Sequence, residues 1–238
     1  MTSKKKLAAK NTINQATEKA SKSEAKKGRV STNEVGTQSQ VPNMISLKCE
    51  IEILNSVKIE KDIQDYLNNI KDCLHNKNYL IQLSIAKKKE GNTQRITANS
   101  LNDEIRDKIK VLWKDVLFEA IYDNEENKFI GAKSAKQGFD FVLSTRNGKI
   151  KYIIGEIQFG NWALLYYDLL KIILTNLIMK ENKTKVSLFI YILATGKLTK
   201  RLSDGIVTIA RTKTTFNSFS NAFERFLKFP IVVLKLKE

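Results

Sequence analysis

Residues 139–161 read Phe139-Asp140-Phe141-Val142-Leu143, then Ser144-Thr145-Arg146-Asn147-Gly148-Lys149-Ile150, then Lys151-Tyr152-Ile153-Ile154-Gly155-Glu156-Ile157-Gln158-Phe159-Gly160-Asn161. Two runs of β-branched and aromatic residues flank Asn147-Gly148. That pair accepts the positive φ values of a type I′ turn, so the stretch predicts a β-hairpin. Polar residues interrupt both strands. Neighbours on a strand point to opposite faces, so Asp140 faces away from Phe139 and Phe141. Glu156 and Gln158 share one face, with Ile157 and Phe159 on the other. Strict pairing about the turn sets Asp140 opposite Gly155 and leaves Asp140 and Glu156 on opposite faces. A one-residue bulge at Gly155 brings the two carboxylates together.

Two converging carboxylates repel each other and raise one pKa unless a cation lies between them. Hard oxygen ligands without histidine or thiolate favour Mg²⁺, which keeps several waters and accepts phosphate oxygens. Such a site polarises a phosphodiester and lowers the pKa of a bound water. A glycine after the strand, Gly160, allows close approach of backbone to a substrate. Against this stands the plain alternative that Glu and Gln alternate with apolar residues on any half-exposed strand.

Outward from the hairpin, the chain alternates helices and strands. Ile59, Ile63, Tyr66, Leu67 and Ile70 predict a helix over 57–74, and residues 78–86 read as a strand, followed by a loop through 87–95. Ser100 and Asp103 open a helix whose apolar period, Leu101, Ile105, Ile109, Leu112, Trp113, Val116, Leu117 and Ala120, carries it through 123. A helix follows over 162–180, then strands at 185–195 and 205–210, a short helix at 217–228 and a closing strand at 230–236. The pattern predicts an α/β fold with a mixed central β-sheet flanked by helices. The apolar segment 162–179 carries Asp168, Lys171 and Thr175 as a polar stripe at helical spacing, which marks a buried soluble helix rather than a membrane span.

The chain has 238 residues and a formal net charge of +16. A polyanion is the partner such a charge implies, either nucleic acid or an anionic membrane surface. No amphipathic helix has the Lys-rich face and aromatic anchors that membrane binding needs. Residues 1–42 hold nine Lys/Arg, three Glu and no aromatic residue. This composition predicts a disordered basic arm, with Pro42 at the boundary of a domain over 43–238. The arm serves either as a non-specific contact to DNA phosphates or as a solvating tail. Cys49 and Cys73 are too few for a disulfide framework or a zinc site and read as free thiols in a reducing cytoplasm. The lone His75 excludes any mechanism that needs two histidines. No apolar h-region follows the basic N-terminus, so no secretory signal is expected.

The segments Phe139-Asp140-Phe141-Val142, Glu156-Ile157-Gln158-Phe159-Gly160 and Tyr166-Tyr167-Asp168 together resemble the PD-(D/E)XK nuclease superfamily, in particular the BglII/BstYI type of type II restriction endonuclease. The stretch 191–210 is similar to the strand, polar loop and S-x-G stretch of that group. The resemblance implies a restriction-endonuclease-like fold and a Mg²⁺-dependent, site-specific deoxyribonuclease. It implies that Asp140 and Glu156 hold the metal, with the backbone carbonyl of Ile157 facing it. Gln158 stands where most of the superfamily has lysine, and there it orients the attacking water or the scissile phosphate. Glu119 is the candidate for an assisting acid on the preceding helix, and a surface glutamate is its other reading.

The resemblance further implies a homodimer that cuts both strands of a palindromic double-stranded DNA site. Sequence readout in such enzymes comes from loops entering the major groove. The segments 197–205 and 211–218 have the Lys, Arg, Thr, Ser and Asn that phosphate and base-edge contacts use. Two rivals stay open: another nuclease of the superfamily, for repair or junction resolution, and a basic DNA-binding protein without turnover.

Overall fold

Ile45, Leu47 and Cys49 alternate with exposed residues along β1 (Asn43–Ile53), and this period of two lays one face of the strand on a core. The computed structural model describes residues 43–238 apart from 89–90, 133–137, 146–150, 160–163, 183, 203–212, 215–216 and 219–225. After β1 come α1 (Lys61–Leu74), β2 (Lys77–Ile81), β3 (Leu83–Lys88), β4 (Gly91–Ile96) and α2 (Ala98–Leu112). Then follow β5 (Leu117–Asp123), β6 (Lys128–Gly131), β7 (Phe139–Thr145), β8 (Lys151–Gln158) and α3 (Leu164–Glu181). The described chain closes with β9 (Lys185–Ala194), α4 (Lys197–Arg201) and β10 (Ile231–Lys237).

Eight strands form a mixed sheet in the order β2-β1-β10-β9-β8-β7-β5-β6. β8, β9 and β10 run parallel at its centre, and their neighbours pair antiparallel. The central strands are buried on both faces: β9 is an almost continuous apolar run with only Lys185 exposed. One core packs Ile63, Leu67 and Ile70 of α1 and Leu101, Ile105 and Ile109 of α2 against Phe141, Ile153, Ile157, Ile190 and Leu234. A second core packs Leu165, Leu169, Ile172 and Met179 of α3 against Val142, Ile154, Phe189 and Val233 on the other face. The expected mixed sheet flanked by helices is what forms. None of the described helices is long and apolar enough to cross a membrane.

Several local expectations are corrected. The helix starting near Ser100 ends at Leu112, and residues 117–123 are a strand. Val116, Leu117 and Ala120 fit the helical period, but Phe118, Ile121 and Tyr122 are strand formers, and they pair with β6 and β7. Residues 78–86 divide at Gln82 between two sheets, and the expected loop over 87–95 contains β4, paired with β3. Strand β1 was not anticipated, and the closing strand β10 lies inside the sheet between β1 and β9. The expected arm over 1–42, the Asn147-Gly148 turn, Gly160 and the strand at 205–210 lie outside the described residues. So does most of the helix expected at 217–228, and Leu227 and Lys228 are not helical.

Candidate active site

The hairpin register decides where the acids go. Phe141 pairs with Gly155, and the antiparallel ladder runs without a break from there to Thr145 and Lys151. This differs by one residue from pairing about a two-residue turn. The next step along the chain brings Asp140 level with Glu156 without a bulge at Gly155, but regular alternation stops there: Phe139 lies in the α3-side core and Phe141 in the core under α1 and α2. The irregularity is on the other edge of β8, between Tyr152 and Ile153 against β9. Gly155 has a different reason to be glycine: a Cβ there would be driven into the Phe141 ring, which is fully buried.

The pairing continues into β5. Phe118 pairs with Phe141 and Ala120 with Phe139, so Glu119 falls opposite Asp140. Glu119 is on this strand rather than on a helix. Its φ of 49° is left-handed, a conformation that a non-glycine residue rarely holds without support. The support is local: Ala132 N–H donates to its carbonyl, and Gly138 packs flat on its backbone. Glu119, Asp140 and Glu156 thus lie at neighbouring positions on three adjacent strands, where the β7–β8 ladder ends.

Each acid has partners that the sequence did not announce. Arg106 of α2 donates from Nη2 to Asp140 Oδ1 at 2.7 Å and also to Glu119 Oε1. Asp140 Oδ2 accepts the Ile157 N–H at 2.7 Å. Glu156 is buried, at 6% exposure. The Lys171 ammonium of α3 lies 2.5 Å from Glu156 Oε1. Lys171 is also 3.7 Å from Asp168 Oδ1 and donates to Gly138 O at 2.9 Å. Gln158 follows Glu156 on the same face and is buried at the end of β8. The structure therefore brings Glu119, Asp140, Glu156 and Ile157 into one cluster, and adds Arg106, Asp168 and Lys171.

Electrostatics follow from burial and crowding. Removal from water pushes the Glu156 pKa well up, and the charges of Asp168 and Asp140 push it further against the pull of Lys171. Burial raises Asp168 to about 6, although Lys171 opposes the shift. Burial works against the Lys171 charge, but Glu156 and Asp168 hold its pKa above the ordinary lysine value. Arg106 is likewise disfavoured by burial and held charged by Asp140 and Glu119. Counted formally, four carboxylates face two cations, which leaves a charge of −2.

The DNA-contact segments are described only in part. Residues 197–201 form α4, Arg201 pairs with Glu238, and Lys213 pairs with Glu52. Cys49 and Cys73 are free thiols, and His75 caps the end of α1. Among the described residues, no group of three or more His, Cys, Asp or Glu could hold a metal ion.

No family model matches the chain, and no curated protein matches it. Among solved structures it is similar to a crystal structure of free BglII, with 13% sequence identity, a TM-score of 0.44 and 80% of each chain covered.

Proposed function

We propose that this chain is a Mg²⁺-dependent endonuclease that hydrolyses phosphodiester bonds at a short palindromic site in double-stranded DNA, working as a homodimer of the type II restriction class. The observation that carries this is the meeting of the acids at the end of the β7–β8 ladder: Asp140 Oδ2 accepts the Ile157 N–H next to Glu156, and Arg106 joins Asp140 to Glu119.

The donor set fits Mg²⁺. Mg²⁺ is ordinarily held by one or two carboxylates plus waters and substrate phosphates rather than by an all-protein cage. Here the donors are hard oxygens, a divalent ion balances the formal charge, and Glu156 presents a buried carboxylate paired in register with Tyr191, whose hydroxyl has no partner among the described residues. Asp140 and Glu156 would hold the ion. An extended residue turns its N–H and C=O to the same strand edge, so the Ile157 carbonyl lies on the Asp140 side with its N–H. When bound, Mg²⁺ supplies Lewis-acid polarisation of the phosphate and a lowered water pKa.

The chain's own residues do the rest. Gln158 orients the attacking water or the scissile phosphate; as a neutral amide it brings no charge. Arg106 fixes the Asp140 and Glu119 carboxylates in one orientation. The net charge of +16 draws the polyanion in. Support for the homodimer is an exposed apolar stripe on α3, where Tyr167, Leu170, Leu174 and Ile178 are 39–51% exposed at helical spacing.

A mapped plasmid incubated with Mg²⁺ or with EDTA tests the proposal. Discrete fragments with Mg²⁺ alone, lost in Asp140→Ala and in Glu156→Ala while the fold persists, are expected. Wild-type rates in either variant would remove the site assignment. One observation favours a rival, a DNA-binding protein without turnover: both Asp140 oxygens already have protein partners. That rival predicts no product with Mg²⁺ and unchanged DNA affinity in Glu156→Ala.

A further inference from the structure

Lys171 enters the cluster from α3, on a different element from the strands that carry the acids. Its side chain is 12% exposed, and its ammonium lies over the rings of Phe139 and Tyr167 at 4.6 and 5.5 Å from their centroids. It touches Glu156, Asp168 and the Gly138 carbonyl at once. This is a fixed, desolvated cation placed between two carboxylates.

The polar partners here are incomplete. The hydroxyl of Tyr191 has no hydrogen-bond partner among the described residues. Tyr191 is fully buried, pairs with Glu156 across the β8–β9 ladder, and lies near enough for the Glu156 and Asp168 charges to act on it. A buried polar atom left unmatched in such a cluster calls for an explanation, and a bound ion or water is one.

We propose that Lys171 is an exchangeable counter-ion: it ties Glu156 to Asp168 in the metal-free protein and competes with the divalent cation for Glu156. The proposal rests on the metal site proposed above. A carboxylate oxygen 2.5 Å from an ammonium cannot also bind Mg²⁺ at about 2.1 Å without bringing two cations within a few ångströms of each other. In a site this dry their repulsion is strong. Binding of the ion therefore requires the ammonium to withdraw, and Lys171 sets the affinity below what the carboxylates alone would reach.

The test uses the full chain, stripped with EDTA and held at pH 8 without DNA. Binding of Mn²⁺ is followed by titration calorimetry and by the ion-dependent rise in melting temperature. Lys171→Gln is expected to bind Mn²⁺ at least tenfold more tightly than wild type. Lys171→Arg keeps the wild-type affinity, and Glu156→Ala abolishes binding. If Lys171→Gln does not unfold cooperatively, Lys171→Gln/Asp168→Asn compared with Asp168→Asn alone carries the same expectation. Equal or weaker binding on loss of the Lys171 charge, in a protein whose wild type binds Mn²⁺ through Glu156, overturns the exchange and leaves the metal site standing. No binding by wild type or any variant overturns both.

Discussion

At the scale of single residues, the site is a contest between burial and charge. Asp168 shows the sign most plainly. Its pKa is raised from 3.8 to about 6, so the folded protein prefers its protonated form. The stability this proton contributes is fully present below about pH 4 and is lost as pH rises through 6. Asp168→Asn removes the titration. Melting curves in EDTA should show the variant gaining on wild type between pH 4 and 7, by about 3 kcal/mol. A difference that does not change over that range would contradict the assigned environment. Asp140 and Glu156 were legible in the sequence because each interrupts a strand of β-formers. Arg106 and Lys171 were not, since their contacts depend on how α2 and α3 dock on opposite faces of the sheet. Lys171 did stand out as part of a polar stripe with Asp168 and Thr175, but a stripe does not name what it faces.

At the scale of elements, one position of register separates a site from a pair of unrelated acids. Pairing of Phe141 with Gly155 brings Asp140 level with Glu156, and a slip of one residue would part them. The ring of Phe141 covering Gly155 is part of what holds that register. Gly155→Ala should therefore lower stability by about 2 kcal/mol through overpacking. It should also reduce cutting beyond what the lost stability explains. Urea denaturation beside the plasmid assay checks this, and a neutral Gly155→Ala would contradict the role given to the ring. The hairpin itself was readable from its β-formers, whereas the register was not, because packing sets it. The boundary between α2 and β5 was hidden for a related reason: no glycine or proline marks it, and Val116 and Leu117 satisfy both periods. β1 was openly alternating and went unread.

At the scale of the molecule, the mixed sheet with helices on both faces followed from the order of its elements. What the order does not give is a partner. Beside its polar stripe, α3 has two apolar sides: Leu169 and Ile172 lie in the core, and Leu170 and Leu174 face solvent. An exposed apolar stripe of this kind is the surface that the proposed dimer would cover. Leu174→Lys should convert a dimer to a monomer by sedimentation while leaving the fold intact, and should slow double-strand cutting relative to nicking. A wild-type chain that sediments as a monomer at micromolar concentration would contradict the homodimer.

The central claim is that Asp140 and Glu156 share one divalent ion at the rim of the sheet. Anomalous scattering from Mn²⁺ in crystals of the protein tests it most directly. The account predicts a single peak bonded to both carboxylates at about 2.1 Å. A protein that binds Mn²⁺ elsewhere, with Asp140 still held by Arg106 and no ion between the two acids, would contradict it.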